Sequence, residues 1–413
     1  MKKSFFLTQS ILILALAGCT GQPPASNSSE QTEQQTWEEI RQTAAGETVR
    51  MYMWGGDEGI NQYMDEWVKP RLKEEYDVTL ERIPLNTNEI IQKLETEKRA
   101  GQQDGTIDLI WMNGENFKRA KESSLLHGPF TEQIPNYQSY YDTESLDFTY
   151  DFGTETEGFE APWGKVQFVF HYDSSKISNP PSTLEELQKW TRENPGKFTY
   201  PAAGDFTGDA FIRHVLYGKA SSLEQLLDEP FSMNLIEEES EDVWRYLNEM
   251  EPDLWRSGET YPSSLTELDR LYSQGEIWMT MGYNEARAEV LVEDGIFPET
   301  TESFILEEPG SIGNTHFLSI PFNSPNKEAA MAAIDFMLAP DAQSAKLSPE
   351  YWGENTPIDL TALSSEQKEP FEKIDRGKTV LDQQTLNDAF LPEIDAAYVP
   401  WLQEKWIDEV ASQ

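Results

Sequence analysis

The sequence predicts an α/β protein of two lobes, and three observations carry that reading. A chain of 413 residues is too long for one comfortable core. Its folded part opens with strand and helix patterns in alternation, the signature of a parallel sheet with helices on its faces. Two further strands, far apart in the chain, are placed to carry the backbone out of one lobe and back. The first lies in Phe159 to Asp173, FEAPWGKVQFVFHYD, a Pro-Trp-Gly turn followed by a β-branched and aromatic run from Val166 to Tyr172. Local pattern alone fits a central strand of a single sheet equally well. The second, Thr315 to Ile320, is read as the return crossing.

In order, Val49 to Trp54 reads as a first strand ending in Gly55-Gly56-Asp57. Ile60, Met64, Trp67, Val68 and Leu72 then recur at helical spacing. Val78 to Ile83 alternates as a second strand, and Ile90, Ile91 and Leu94 mark the next helix. Ile107 to Met112 is a third strand, turning through Asn113-Gly114-Glu115-Asn116-Phe117 into a helix. Ligands of such sheets collect beyond the carboxyl ends of the strands, where both Gly-containing turns sit. From about Pro129 to Gly158 the pattern is weak and reads as irregular. Past Pro180-Pro181, a helix starts with Ser182 and Glu185, or Thr183 and Glu186, spaced as a capping box. Gly204 to Asp209 leads into a helix expected from Ala210, and Ile277 to Gly282 reads as a strand. Ser324-Pro325-Asn326 opens an Ala-rich helix, and the remainder reads as helical.

The N-terminus is an export signal. Lys2-Lys3 precede an apolar stretch, Phe5 to Ala17, too short to span a bilayer comfortably. Leu16-Ala17-Gly18-Cys19 resembles a bacterial lipobox, and Cys19 is the only cysteine, so no intramolecular disulfide is possible. The following polar stretch to about Thr36 reads as a tether. The chain carries 74 acidic against 32 basic residues, a net charge of −42 that repels nucleic acid.

Lipobox, tether and β-α-β opening resemble the solute-binding lipoproteins of bacterial ABC importers. Pro180-Pro181-Ser182-Thr183-Leu184-Glu185-Glu186-Leu187, Ser324-Pro325-Asn326-Lys327-Glu328-Ala329-Ala330 and Leu338-Ala339-Pro340-Asp341-Ala342-Gln343 resemble the helices after the two crossovers of the two-lobed, type II members. Trp54-Gly55-Gly56, Asn113 to Phe117 and Asp205-Phe206-Thr207-Gly208 are similar to a branch related to thiamine, polyamine and iron receptors. The resemblance implies a periplasmic-binding-protein-like fold, each lobe a mostly parallel sheet flanked by helices. It implies a monomer, lipid-anchored outside the cytoplasm, that closes on one solute and docks on permease subunits, with no cofactor. The expected boundaries are residues 1–18 for the signal peptide, 19–46 for the tether, 47–166 plus 318–340 for the first lobe, and 167–317 plus 341–413 for the second.

No GxSxG elbow, GxxxxGK[ST] loop or HExxH motif is present. The four histidines fall on separate elements, which signals no metal cluster. A rival reading is an exported carbohydrate-active enzyme, since 12 tryptophans and many acids suit sugar stacking and a carboxylate pair. Among 74 acids, however, any pair can be proposed. A lipoprotein that only scaffolds a surface complex is a third class.

For the cleft, Trp54, Trp163 and Tyr283 offer faces to a ring or cation, against the alternative of packing under a loop. Asp57, Glu115 and Asp205 suit an ammonium group, or else answer a helix dipole. Asn113, Asn116, Thr207 and Asn284 orient a ligand, or else cap. Gly55, Gly56 and Phe206 belong to the same turns. The expected solute is a small polar cation or zwitterion, thiamine- or polyamine-like, with a metal or an oxyanion as alternatives.

The lipobox makes a direct prediction. Several acyl chains at Cys19, at about 0.8 kcal/mol per buried methylene, would hold the chain to a membrane. Cys19→Ala should move it to the soluble fraction or stall its processing, as read by fractionation and intact mass.

Overall fold

The computed structural model describes residues 35–56, 58–228 and 231–412. The expected signal, Cys19, most of the tether and Asp57 lie outside them. Folding begins earlier than the expected boundary near residue 47. A helix, Trp37–Ala44, is capped by a Thr36–Glu39 capping box and buries Ile40 and Ala44. Two apolar anchors in a polar stretch left little periodicity to read.

Strands β1 (Thr48–Met53), β2 (Thr79–Pro84) and β3 (Leu109–Met112) pair in parallel, with β1 between the other two. Burial alternates strictly along β1, with Val49, Met51 and Met53 inward. They join Leu109 in the main first-lobe core, while Ile110 and Met112 join Ile90, Ile91, Leu94 and Phe117 in a second cluster. Both faces of the sheet are therefore covered, as a parallel sheet requires. The short β4 (Leu126–His127) follows. The segment read as irregular holds the helices Pro135–Tyr140 and Leu146–Thr149 and a hairpin of β5 (Tyr150–Asp151) and β6 (Thr154–Glu155).

The first crossing runs as β7 (Glu160–Gln167) and β8 (Val169–Asp173). Pro162-Trp163-Gly164, expected as a turn, lies inside β7. Pro and Gly also mark bulges, and here the register slips by one residue opposite His316/Phe317. The helix Leu184–Glu193 is capped by Thr183, which accepts from Glu186 N–H at 3.2 Å, while Glu186 reaches back to Ser182 N–H at 2.9 Å.

The second lobe differs from the expectation of a mostly parallel sheet. β8 lies between β9 (Met279–Gly282) and β10 (Thr301–Phe304), antiparallel to both. The helices Phe206–Lys219 and Glu241–Met250 pack over it in a core that includes Phe168, Phe170, Phe211 and Leu247. The return crossing, β11 (Ser311–Pro321), pairs antiparallel with β7 over Gly313–Ser319 and with β3 over Phe317–Ser319. It also takes β4 antiparallel and β12 (Phe390–Leu391) parallel.

The helix Lys327–Leu338 lies buried in the first lobe, and Pro340–Leu347 follows it directly. The expected boundary after residue 340 is therefore too early. Ala342, Leu347, Trp352, Ile358, Leu363 and Phe371 all pack with the first-lobe core, whereas Ile394, Tyr398, Leu402 and Trp406 pack with the second. Among the described residues no helix is long and apolar enough to cross a membrane.

At the bulge, the Trp163 carbonyl accepts from Lys346 Nζ at 2.6 Å and Gln343 Nε2 at 3.0 Å. Lys346 is wholly buried and pairs with the equally buried Glu354 at 2.9 Å. His316 Nδ1 stands 2.5 Å from the other Glu354 oxygen. Burial alone would raise the Glu354 carboxyl, but Lys346 and His316 outweigh it and hold the group below its ordinary 4.5.

Glu354→Gln should therefore cost about 3 kcal/mol or more, because Lys346 is left buried without its counter-charge. The double change Lys346→Met with Glu354→Leu should recover much of that loss in chemical denaturation. The pH sign follows from the lowered carboxyl. Its stabilisation is complete above the ordinary value and is lost as pH falls through the lower folded value. In acid titration the gap between wild type and Glu354→Gln should narrow.

Candidate functional site

Where β11 runs between the lobes, Gly313, Asn314 and Thr315 line a cavity of about 450 Å³. The β5–β6 hairpin supplies Asp151, Phe152, Gly153 and Glu155, and the C-terminal segment supplies Phe390, Pro392, Glu393 and Asp395. The hairpin turns on Phe152 at φ 44° and Gly153 at φ 72°, the two positive angles of a tight two-residue turn. A β-carbon at Gly153 would stand 2.8 Å from the Asp395 Cα, so glycine lets the hairpin close on the C-terminal segment.

The cavity is acidic. Asp147, Asp151, Glu155, Glu393 and Asp395 line it, and no lysine or arginine does so among the described residues. Three of these carboxylates are matched from behind. Asp147 pairs with Lys165 at 2.6 Å, Asp395 with Lys118 at 2.7 Å, and Glu393 with Arg213 at 2.8 and 3.0 Å. Burial alone would lower Arg213, yet Glu393 and Tyr283 raise it, so the guanidinium stays charged. Asp151 accepts only the Gly114 N–H, at 2.5 Å, and Glu155 only the Tyr150 hydroxyl, at 3.2 Å, among the described residues. Burial pushes Asp151 well above the usual carboxylate range, Gly114 opposes this, and Glu393 adds to it.

None of the twelve residues expected to bind ligand lines this cavity. Two reach it through one hydrogen bond: Asn113 Nδ2 donates to Asn314 Oδ1 at 3.2 Å, and the Tyr283 hydroxyl donates to Glu393. The Tyr283 ring lies 5.1 Å from that of Phe206, which is 54% exposed at the start of its helix. Trp54 is 43% exposed beyond β1, and its ring covers Gly56, where a β-carbon would come within 2.3 Å of Cζ2. The Gly55 carbonyl accepts from Asn61 at 3.1 Å. Glu115 is exposed and Asn116 half-buried in the helix Glu115–Glu122, after Gly114 at φ 62°.

The remaining expected residues lie elsewhere. Trp163 is wholly buried, edge-on to Trp111 and Trp352 at 5.6 and 5.0 Å, so it is core and not cleft. Asp205 is a helix cap: Oδ1 accepts from Thr207 N–H at 3.0 Å and Gly208 N–H at 3.2 Å, and Oδ2 from Leu265 N–H at 3.3 Å. Thr207 is buried behind it. The helix accordingly starts at Phe206, not Ala210. Asn284, at φ 65°, spends its Oδ1 on the Ala286 N–H at 3.2 Å. Sequence reading missed Asp151, Glu155, Asn314, Glu393 and Asp395. The only local signal was the turn residue Gly153 after Asp151-Phe152.

The family described as bacterial extracellular solute-binding protein matches residues 67–369. Protein YnjB of Escherichia coli (strain K12) is 36% identical over 340 residues, 82% of this chain and 86% of that one. Among solved structures, the spermidine/putrescine substrate-binding protein PotD of Streptococcus pneumoniae superposes with a TM-score of 0.61 at 17% identity, covering 88% of this chain and 98% of that one. The cyclic alpha-maltosyl-1,6-maltose binding protein of Arthrobacter globiformis does so with 0.62 at 16%, covering 88% and 94%.

The capping geometry predicts the outcome of removing it. Asp205→Ala should cost about 1 kcal/mol of stability, and Asp205→Asn less, in parallel melting curves.

Proposed function

This chain belongs to the bacterial extracellular solute-binding family, and from that premise we propose that it serves as the substrate-binding component of an ABC transporter whose solute is a small organic cation or zwitterion. The observation that carries this is the inter-lobe cavity. Two of its five carboxylates have no cationic partner among the described residues, and Tyr150, Phe152 and Phe390 supply aromatic faces beside them. Such a lining favours an ammonium or ring cation and opposes an oxyanion. Its volume suits a small organic molecule.

In this reading the lobes close about the paired β7 and β11. The β5–β6 hairpin and Asp147 hold the solute from the first lobe, and Glu393, oriented by Tyr283, holds it from the second. Phe206, exposed against Tyr283, flanks the second-lobe side. A lipid anchor at Cys19 keeps the monomer beside its permease. A polyamine, for which the Streptococcus protein is named, fits the carboxylates better than the sugar for which the Arthrobacter protein is named.

Thermal shift and calorimetry with spermidine, thiamine, choline, maltose and citrate test this. At least one cation should bind, raising stability by about 2.7 kcal/mol at a hundred times its Kd. Glu155→Gln and Asp151→Asn should each weaken it tenfold or more, about 1.4 kcal/mol. Binding of maltose or citrate with every cation inert would overturn the reading.

A further inference from the structure

On another side of the β5–β6 hairpin lies a second cavity, of about 420 Å³. Glu132, Glu155, Glu157 and Glu160 line it with the hydroxyls of Thr131 and Tyr137, and no lysine or arginine does so among the described residues. Glu132, Glu155 and Glu157 are exposed, so water solvates their charge. Glu160 is different. It is 1% exposed, and neither carboxylate oxygen has a hydrogen-bond partner among the described residues. The nearby cation, Lys121, is engaged by Glu157 at 2.9 Å and by the Glu155 carbonyl.

A carboxylate buried without a partner costs several kcal/mol, so it must hold a proton or meet a cation. Burial pushes Glu160 well above the usual range, Asp151 adds to this, and Lys121 opposes it. The surroundings also limit the charge of a cation. One buried carboxylate balances one positive charge. Among the described residues no three Asp, Glu, His or Cys side chains converge as a metal site would need.

We propose that this cavity, which meets the inter-lobe cleft at Tyr150 and Glu155 but has Glu160 to itself, binds one singly charged cation: sodium, potassium or an ammonium ion. The Glu160 carboxylate supplies the charge, the Thr131 and Tyr137 hydroxyls supply neutral oxygens, and water completes the shell. Because the site sits behind the Tyr150–Glu155 hairpin, its occupant stiffens a wall of the cleft without touching the solute. Cation and proton compete for Glu160, and Asp151, Lys121, Glu132, Glu155, Glu157 and Tyr137 are the titratable groups around it.

The full chain, prepared in N-methyl-D-glucamine chloride, is titrated with sodium, potassium or ammonium chloride at constant ionic strength while melting is followed. At least one ion should raise the melting temperature saturably at pH 8, and the response should shrink at pH 5. Glu160→Gln should need at least tenfold more ion for the same shift. If all salts track N-methyl-D-glucamine, the proposal fails. A response undiminished in Glu160→Gln overturns it too, by assigning the ion to the cleft or the surface. Should that variant not fold, anomalous scattering from thallium(I)-soaked wild-type crystals decides: a peak beside Glu160 supports the site, and none overturns it.

Discussion

The antiparallel pairing of β7 with β11 is the constraint from which the rest follows. These are the two strands that join the lobes, and they lie against each other from Gly313 opposite Gln167 to Ser319 opposite Glu160. The pairing is broken once, at the bulge by Pro162 and Trp163, since proline brings no N–H to the ladder. A bulge leaves backbone groups to be satisfied elsewhere. Here the Trp163 carbonyl takes Lys346 and Gln343, and the buried ammonium in turn demands Glu354. That carboxylate occupies the space of a side chain at position 164, where a β-carbon would stand 2.2 Å from its oxygen. Gly164, Lys346 and Glu354 are thus one solution to one missing hydrogen bond. It also explains why residues 341–371 stay with the first lobe.

The same strands position the cavities. Asn314 is held by Asn113 from the end of β3, and the hairpin reaches the C-terminal segment through the Ala396 N–H to the Phe152 carbonyl at 3.1 Å. Arg213 stands 5.9 Å from the Phe152 ring while pairing with Glu393. Polar groups of both lobes therefore meet at the hinge, where a small change of angle alters several contacts together.

Much of the architecture was legible because it is written in local periodicity. Val49, Met51 and Met53 alternate, and Ile60, Met64, Trp67 and Val68 recur at helical spacing, so strand and helix could be told apart. The aromatic run Phe168 to Tyr172 and the stretch Thr315 to Ile320 stood out as strands for the same reason. What failed depends on partners distant in sequence. Pro162 and Gly164 are turn residues by habit and bulge residues only because β11 lies opposite. The second-lobe sheet is antiparallel because β9 and β10 arrive after a long helical insertion, and no period records their direction. Asp151 and Glu393 are 242 positions apart, and neither is unusual locally among 74 acids. Asp205 and Asn284 were recognised as cap or ligand alike, because one carboxylate or amide serves either end until its neighbours are known.

The charge balance now has two separable consequences. A net −42 draws cations toward the whole surface, but that field is screened within about 8 Å at physiological salt. It cannot tell one cation from another. Selectivity needs carboxylates that salt does not reach, and these are costly to keep. Most buried acids here are matched: Glu354 by Lys346, Glu393 by Arg213, Asp108 by Arg50 at 2.7 Å. Asp209, Glu239 and Asp335 have no ion-pair partner among the described residues but accept two or more hydrogen bonds each, whereas Asp151 on β5 accepts one N–H and Glu160 on β7 none. In a chain that otherwise satisfies its buried carboxylates with cations or several hydrogen bonds, two left short of both, beside two cavities, are best explained by partners that come from solution.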